Sequence, residues 1–219
     1  QDAKLMGAYR TFIGMVAFIV FPVALGFCGV ARPLIVSLIT DKWLGCVPFI
    51  QILVFAYLCD GITIVNLNLL YVKGKSDIVL RLEIIKKTIA VILLFIALRF
   101  GVKAICLSQL LYAVIALILN TRNTKRLLKY GFLSQIRDLF PYFICSLVMM
   151  SAAFGLDHII DNNWVVLGLS LIICPVIYLL LCFLFKLNAL NEMALIVVSN
   201  KYCPQWLNKL LSNLLLKKS

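Results

Sequence analysis

The sequence lacks the motifs that would support catalysis. It contains one histidine and nine acidic residues among 219 residues. No serine, cysteine or aspartate stands in a recognisable arrangement with a base, and no glycine-rich phosphate loop or pair of catalytic carboxylates is present. The sequence therefore gives little support to an enzyme and indicates no cofactor.

Two further absences narrow the class of protein. None of the eight cysteines forms a CxxC pair, and most lie inside apolar runs, where cysteine behaves as a small hydrophobe. Asp157, His158 and Asp161 share one loop, but they are too few to hold a metal without further ligands.

The formal net charge is +12. Because the chain offers no platform of aromatic and basic residues, we expect no nucleic-acid partner.

Long apolar runs dominate what is present. Hydrophobic residues make up 63% of the chain and the mean hydropathy is +1.06, whereas a soluble domain is about 45–50% apolar. A window of roughly 18 to 25 apolar residues spans a bilayer. Six such windows lie at about 12–31, 47–71, 78–98, 101–120, 139–156 and 164–185. We therefore predict an all-α integral membrane protein with a six-helix bundle over residues 1–186.

The basic residues separate into two groups if each span crosses once. With the N-terminus in the cytoplasm, 17 of the 21 lysines and arginines fall on the cytoplasmic side. The other side holds only Arg32, Lys42, Arg99 and Lys103. This asymmetry is what the positive-inside rule describes, so we predict that both ends of this chain are cytoplasmic.

The third span and the tail depart from the general pattern. The uninterrupted apolar stretch of the third span covers only residues 88–98, about 16 Å of helix, so the polar segment before it must complete the crossing. We expect Glu83, Lys86 and Lys87 at the head groups or facing a wet cavity, with Glu83 and Lys87 forming an ion pair four residues apart. Residues 187–219 are predicted to be a cytoplasmic tail whose amphipathic helix lies in the membrane interface.

Several segments carry a resemblance to a known family. They are FPVALGFCGVARPLI, DKWLGCVPFIQIL, NLNLLYVKGKSDIVLRLEIIKK and YGFLSQIRDLFP, with Ser108-Gln109 as the analogue of a Gly-Gln pair. In order and spacing they resemble the polysaccharide biosynthesis branch of the multidrug/oligosaccharidyl-lipid/polysaccharide exporter superfamily. Within it, they are most similar to bacterial O-antigen-type oligosaccharide flippases. The resemblance extends from residue 1 to about residue 186.

The resemblance implies a MATE-like fold and a transport activity. Relatives of this kind have about fourteen spans in two bundles, and this chain would correspond to the last six. Since it also begins at Gln1 with no signal peptide, we expect that the N-terminal part of a longer protein is missing. The implied activity is translocation of undecaprenyl-diphosphate-linked oligosaccharide across the bacterial inner membrane by alternating access, for O-antigen, capsule or exopolysaccharide synthesis. The implied partners are that lipid-linked oligosaccharide, membrane lipids, and a polysaccharide polymerase or chain-length regulator.

Two residues depart from the pattern of the relatives. Arg32 stands where relatives often carry an acidic residue, and Asp60 stands in a segment that is usually aromatic or apolar. A carboxylate inside an apolar run is costly, so Asp60 is our candidate for carrying a coupling proton or sodium ion. The alternative is that Asp60 pairs with a neighbouring helix.

Five further residues are candidates for contact with such a substrate. Cations that line a cavity would neutralise its diphosphate, and Arg81, Lys86 and Lys87 are the best placed on the cytoplasmic side. The alternative is that these cations only set topology and extend toward the head groups. Asn66 and Asn68 could bind sugar hydroxyls, although asparagines in membrane helices also tie helices together.

Other functions remain open at the level of sequence. One alternative is a drug/cation antiporter or a lipid II flippase of the same superfamily. Another is an integral-membrane polymerase or glycosyltransferase of polysaccharide assembly. That enzyme would need carboxylates or an arginine-rich outer loop, whereas the outer loops of this chain are short.

Overall fold

The computed structural model describes residues 2–187, 189, 192 and 193, so the predicted interfacial helix lies outside the described residues. This part of the chain is helical throughout and contains no strand, which confirms the all-α expectation for it. The helices are α1 (Asp2–Gly29), α2 (Ala31–Leu38), a 3₁₀ helix (Asp41–Cys46), α3 (Val47–Val72), α4 (Ser76–Leu98), α5 (Val102–Leu128), α6 (Phe132–Ile159) and α7 (Asn163–Leu184).

Each of the six predicted spans overlaps one long helix, although the first runs two residues beyond the end of α1. Five of these helices, all except α4, are long and apolar enough to cross a membrane. Helix α4 has 23 residues, about 35 Å, which is sufficient length. It differs because Arg81, Glu83, Lys86 and Lys87 lie in its first half. A multi-pass membrane protein follows from the five helices, and a sixth crossing by α4 stays a prediction.

Three helices are longer than the apolar windows from which they were predicted. Helix α1 begins at Asp2, α5 continues to Leu128 and α6 begins at Phe132. Hydropathy detects only the apolar portion of a helix. Backbone hydrogen bonding continues through polar residues such as Thr121 and Thr124, which are fully buried in α5.

The long helices pack in the lateral order α4, α5, α3, α1, α6, α7. Helix α1 lies near the middle of this row, and its Ile13 and Leu25 are almost completely buried in the core. Helices α4 and α7 occupy the two ends, and the short helix α2 packs against α7. Large apolar side chains on the outer surfaces, such as Phe95 and Leu171, are exposed, as expected of helices that face lipid.

The two ends of the bundle differ in charge. Contacts among Tyr9, Asn66, Thr124 and Gln135 place the start of α1, the ends of α3 and α5 and the start of α6 together. Most of the basic residues of the described chain lie at this end, which we call the basic end. At the opposite end, Arg32 is the residue that pairs α2 with α6.

Glycine allows one close helix contact and one sharp turn. A Cβ atom on Gly29 of α1 would lie 2.8 Å from the Cβ of Ala153 on α6, so the two helices approach closely only because no side chain is there. Gly74 has a φ of +67°, which glycine adopts without strain. Its N–H and that of Lys75 donate to the carbonyls of Tyr71 and Leu70 and end α3.

Candidate functional site

A part-buried ion pair lies on helix α4. Lys86 of α4 is only 3% exposed, and its Nζ donates to the Oε1 of Glu83 one turn earlier. Lys86 is ten residues from the start of α4, about 15 Å into the bundle. The expected partner, Lys87, is exposed. Positions three and four after Glu83 both lie beside it on the helix surface, so the spacing alone does not choose between the two lysines. The pair forms with Lys86, which lies on the buried side of α4.

Asp60 lies near this ion pair. It is half-buried in α3, twelve residues before the end of that helix, about 18 Å from the basic end. The charges of Lys86 and Lys87 act on its carboxylate, although in the described part of the chain no cation comes within 4 Å of it. Tyr112 of α5 lies within electrostatic reach of both Asp60 and Glu83. We call Asp60, Glu83, Lys86 and Lys87 the charged layer.

The charged layer joins residues to which the sequence assigned separate roles. Asp60 was expected to carry a coupling ion, Lys86 and Lys87 to contact a diphosphate, and Glu83 to balance a lysine. In the structure these four residues, two acidic and two basic, lie at a similar distance from the basic end on α3 and α4. Charged groups at such depth are rare in membrane proteins and mark pathways for ions or polar substrates. Arg81, the third predicted cation, is exposed on α4.

Asn66 lies in a buried polar cluster at the basic end. Its side chain is inaccessible to solvent, and its Oδ1 accepts hydrogen bonds from Tyr9 at 2.8 Å, Thr124 at 2.6 Å and Gln135 at 2.9 Å. Its Nδ2 donates to the Oε1 of Gln135 at 3.1 Å and to the carbonyl of Ile62 at 3.0 Å. One amide therefore joins α1, α3, α5 and α6.

The two candidate asparagines have opposite environments. Asn66 ties helices together, as the alternative interpretation of the sequence describes. Because its side chain is inaccessible, a sugar cannot reach it in this conformation. Asn68, two residues further along α3, is exposed, and its contact with sugar stays a prediction. Sequence reasoning missed Tyr9, Thr124 and Gln135. Their signal was weak, because each is an isolated polar residue in or beside an apolar run.

A second polar group lies at the mouth of the basic end. Arg10 donates to both carboxylate oxygens of Asp138, at 2.8 and 3.0 Å, and Tyr130 donates to the same carboxylate at 2.6 Å. The Arg10 guanidinium lies 5.6 Å from the centre of the Tyr130 ring. Burial raises the pKa of Tyr130, and the hydrogen bond to Asp138 raises it further. Tyr130 thus stays protonated and remains a hydrogen-bond donor.

The opposite end carries a polar depression of about 400 Å³ around Arg32, His158 and Asp161. Arg32 donates to Asp157 at 3.1 Å, and the Asp157 side chain is only 12% exposed. Among the described residues, no group of three His, Cys, Asp or Glu side chains is arranged to hold a metal ion. Asp157 lies in α6, so that helix supplies the acid with which Arg32 pairs.

Comparison with known proteins gives one match. Residues 1–48 match the model of a family described as polysaccharide biosynthesis protein. The match covers α1, α2, the 3₁₀ helix and the first two residues of α3. About a fifth of the chain is thus similar to polysaccharide biosynthesis proteins. This similarity is consistent with the membrane-like helices. Neither a curated protein nor a solved structure matches the chain.

Proposed function

We propose that the chain takes part in moving a polyprenyl-diphosphate-linked oligosaccharide across the bacterial inner membrane. The charged layer carries the transport part of this proposal, because it places ionisable side chains deep among apolar helices. The match of residues 1–48 supports the choice of a polysaccharide precursor as the cargo. In this proposal the protein is a transporter, and the sugar and its diphosphate leave unchanged.

The proposed mechanism is alternating access. A diphosphate and a sugar head cannot enter hydrocarbon unaided, so the passage must offer polar groups to replace water. Lys86 is the most buried cation among the described residues, but Glu83 already neutralises it in this conformation. A substrate phosphate would have to displace Glu83 from Lys86 as the passage opens. Asp60 would then take up a proton or a sodium ion during the return of the empty protein.

The proposed orientation places the basic end in the cytoplasm. This follows from the positive-inside rule, and it would let the substrate enter from the leaflet where it is made. The opposite end, with Arg32 and Asp157, would face the periplasm. A polysaccharide polymerase or chain-length regulator in the same membrane would receive the exported unit there.

Deletion of the gene in its bacterium tests the proposal. Surface polysaccharide should disappear while the lipid-linked precursor accumulates in the inner leaflet, and plasmid-borne expression of the gene should restore the polysaccharide. Changed drug resistance with normal polysaccharide would instead indicate an antiporter. Loss of peptidoglycan precursor export would indicate a lipid II flippase, and transfer of sugar by the purified protein would indicate a glycosyltransferase or polymerase.

A further inference from the structure

A cavity at the basic end is separate from the charged layer. It has a volume of about 490 Å³ and lies between α1, α6 and four described residues that follow α7, namely Lys186, Leu187, Ala189 and Glu192. This volume falls within the roughly 300 to 1,000 Å³ that is usual for small-molecule sites. Its charged and hydroxyl-bearing lining includes Arg10, Thr11, Arg137, Asp138, Lys186 and Glu192.

Two of the three cations in this lining are available to a ligand. Arg10 is held by the two oxygens of Asp138. Arg137 and Lys186 are exposed, and neither forms an ion pair within the part of the chain that the structure describes. The remaining acid is Glu192, so the cavity offers two free cations against one carboxylate. That balance favours an anion of modest charge over a cation.

The position of the cavity indicates where the anion comes from. Helix α7 ends at Leu184, and Lys186 follows two residues later, while Arg137 lies in the second turn of α6. Cations at the ends of membrane helices lie at the level of lipid phosphates. Tyr142 accepts a hydrogen bond from the backbone N–H of Ala189 at 3.2 Å, which holds Ala189 beside the cavity.

We propose that this cavity binds the phosphate of a lipid head group through Arg137 and Lys186. Gly7 leaves space for the head group, because no atom lies within 4 Å of a Cβ added there. The phosphate belongs either to an anionic phospholipid of the membrane or to the diphosphate of the cargo. The second source rests on the proposed function, whereas phosphate binding itself does not.

Binding to the purified chain in a neutral detergent tests the proposal. The probes are dioleoyl phosphatidylglycerol and farnesyl diphosphate, and farnesol serves as the uncharged control. Both phosphate-bearing probes, or one of them, should bind and raise the melting temperature, and farnesol should not. Replacing both cations, Arg137→Gln with Lys186→Gln, should weaken binding roughly tenfold, since two charge-assisted contacts are lost.

A matched variant separates the site from general attraction to charge. Arg122 and Arg126 are exposed near the end of α5, at the same end of the bundle. Arg122→Gln with Arg126→Gln removes the same charge and should leave binding unchanged. Equal weakening by both pairs of substitutions would overturn the proposal, as would failure of both probes to bind the unaltered chain.

Two single variants test the cavity without removing its cations. Gly7→Phe should fill the space next to Thr11 and weaken binding while keeping every charge. Glu192→Gln should strengthen binding, because it removes the one unpaired acid of the lining. If Gly7→Phe bound the probes as tightly as the unaltered chain, the probe would lie elsewhere and the proposal would be overturned.

The two sources of phosphate give different results. Preference for farnesyl diphosphate supports the cavity as a site for the cargo and supports the proposed function with it. Preference for phosphatidylglycerol supports a site for a membrane lipid. It would stand even if deletion of the gene left surface polysaccharide normal, so failure of the proposed function can be told apart from failure of this inference.

Discussion

Neighbouring residues with the same side chain have different environments in this protein. Lys86 is buried and paired with Glu83, whereas Lys87 is exposed. Asn66 has five hydrogen-bond contacts and Asn68 points outward. One or two positions turn a helical side chain by 100° or 200°, so each pair supplies its own control experiment.

Lys86→Met should destabilise the protein by about 1–3 kcal/mol, because it leaves the part-buried carboxylate of Glu83 without its partner. Lys87→Met should change stability by less than about 0.5 kcal/mol. The double variant Glu83→Gln with Lys86→Met should recover most of the loss, since neither charge is then unpaired. Thermal unfolding in detergent measures all three. A double variant no more stable than Lys86→Met alone would contradict the pairing.

Asp60→Asn should abolish most surface polysaccharide while the amount of protein in the membrane stays normal. Asparagine keeps the size of the side chain but cannot cycle between charged and neutral forms. Asp77→Asn, an exposed acid at the start of α4, is the matched control and should have no effect. Polysaccharide gels and immunoblots of membranes give the two readings. Normal polysaccharide with Asp60→Asn would remove this residue from the transport cycle.

Asn66→Leu should lower stability by roughly 2 kcal/mol, because it leaves buried polar groups of Tyr9, Thr124 and Gln135 with fewer partners. Asn68→Leu places the same side chain on the exposed face of the same helix and should be close to neutral. Melting temperatures of the two purified variants decide the matter. Equal melting temperatures would mean that the cluster does not hold the helices together.

At the scale of the helices, the contact between α1 and α6 depends on the absence of side chains. Gly29 and Ala153 bring the two backbones close at the opposite end of the bundle. The hydrogen bond from Gln135 to Tyr9 and the Arg10–Asp138 pair join the same two helices at the basic end. Helices α1 and α6 are thus fixed at both ends, which should make them move as a unit.

Gly29→Ala should destabilise the protein by about 1–3 kcal/mol, because the added methyl group would lie too close to Ala153 and to the Met150 carbonyl. Gly155→Ala on α6 has no atom within 4 Å of the added Cβ. It should be neutral or slightly stabilising, as alanine favours helix over glycine by about 1 kcal/mol. Unfolding of both variants under the same conditions makes the comparison. Similar stability of the two would contradict a close contact at Gly29.

At the scale of the whole molecule, the six long helices form a row with α4 at one edge. Helix α4 has one narrow buried face, formed by Val79, Leu82, Lys86 and Ala97, and broad exposed apolar surfaces. Its length suits a membrane crossing, and its charges distinguish it from the other five. Among the described residues, the number of crossings therefore depends on whether α4 spans the membrane.

Alkaline phosphatase fused after Gly74 should be inactive, and the same enzyme fused after Gly101 should be active, because we predict that α4 carries the chain from the cytoplasm to the periplasm. Lys86 is buried, which would lower the cost of carrying its charge through the membrane. Fusion after Lys129 controls for the next return to the cytoplasm and should be inactive. Equal activity after Gly74 and Gly101 would mean that α4 does not cross.

Much of the architecture was readable from the sequence, because apolar runs of bilayer length have few alternatives to helices. The positions of all six long helices were predicted, but three helix ends were placed too early or too late, since polar residues continue those helices. The sequence predicted the residues of the candidate site one by one, but not that they lie close to one another. The partner of Glu83 was predicted one position away, and the buried state of Asn66 left no local signal in the chain.

The sequence by itself determined that the chain is helical, membrane-like and asymmetric in charge, because these properties depend on local composition and on the order of apolar and basic segments. Only the tertiary structure decided that Asp60 lies within electrostatic range of Lys86, that Asn66 joins four helices, and that Arg137 and Lys186 share a cavity. In each case, residues on different helices or helix ends are brought close together. Such distances are set by the packing of whole helices, which no local pattern records.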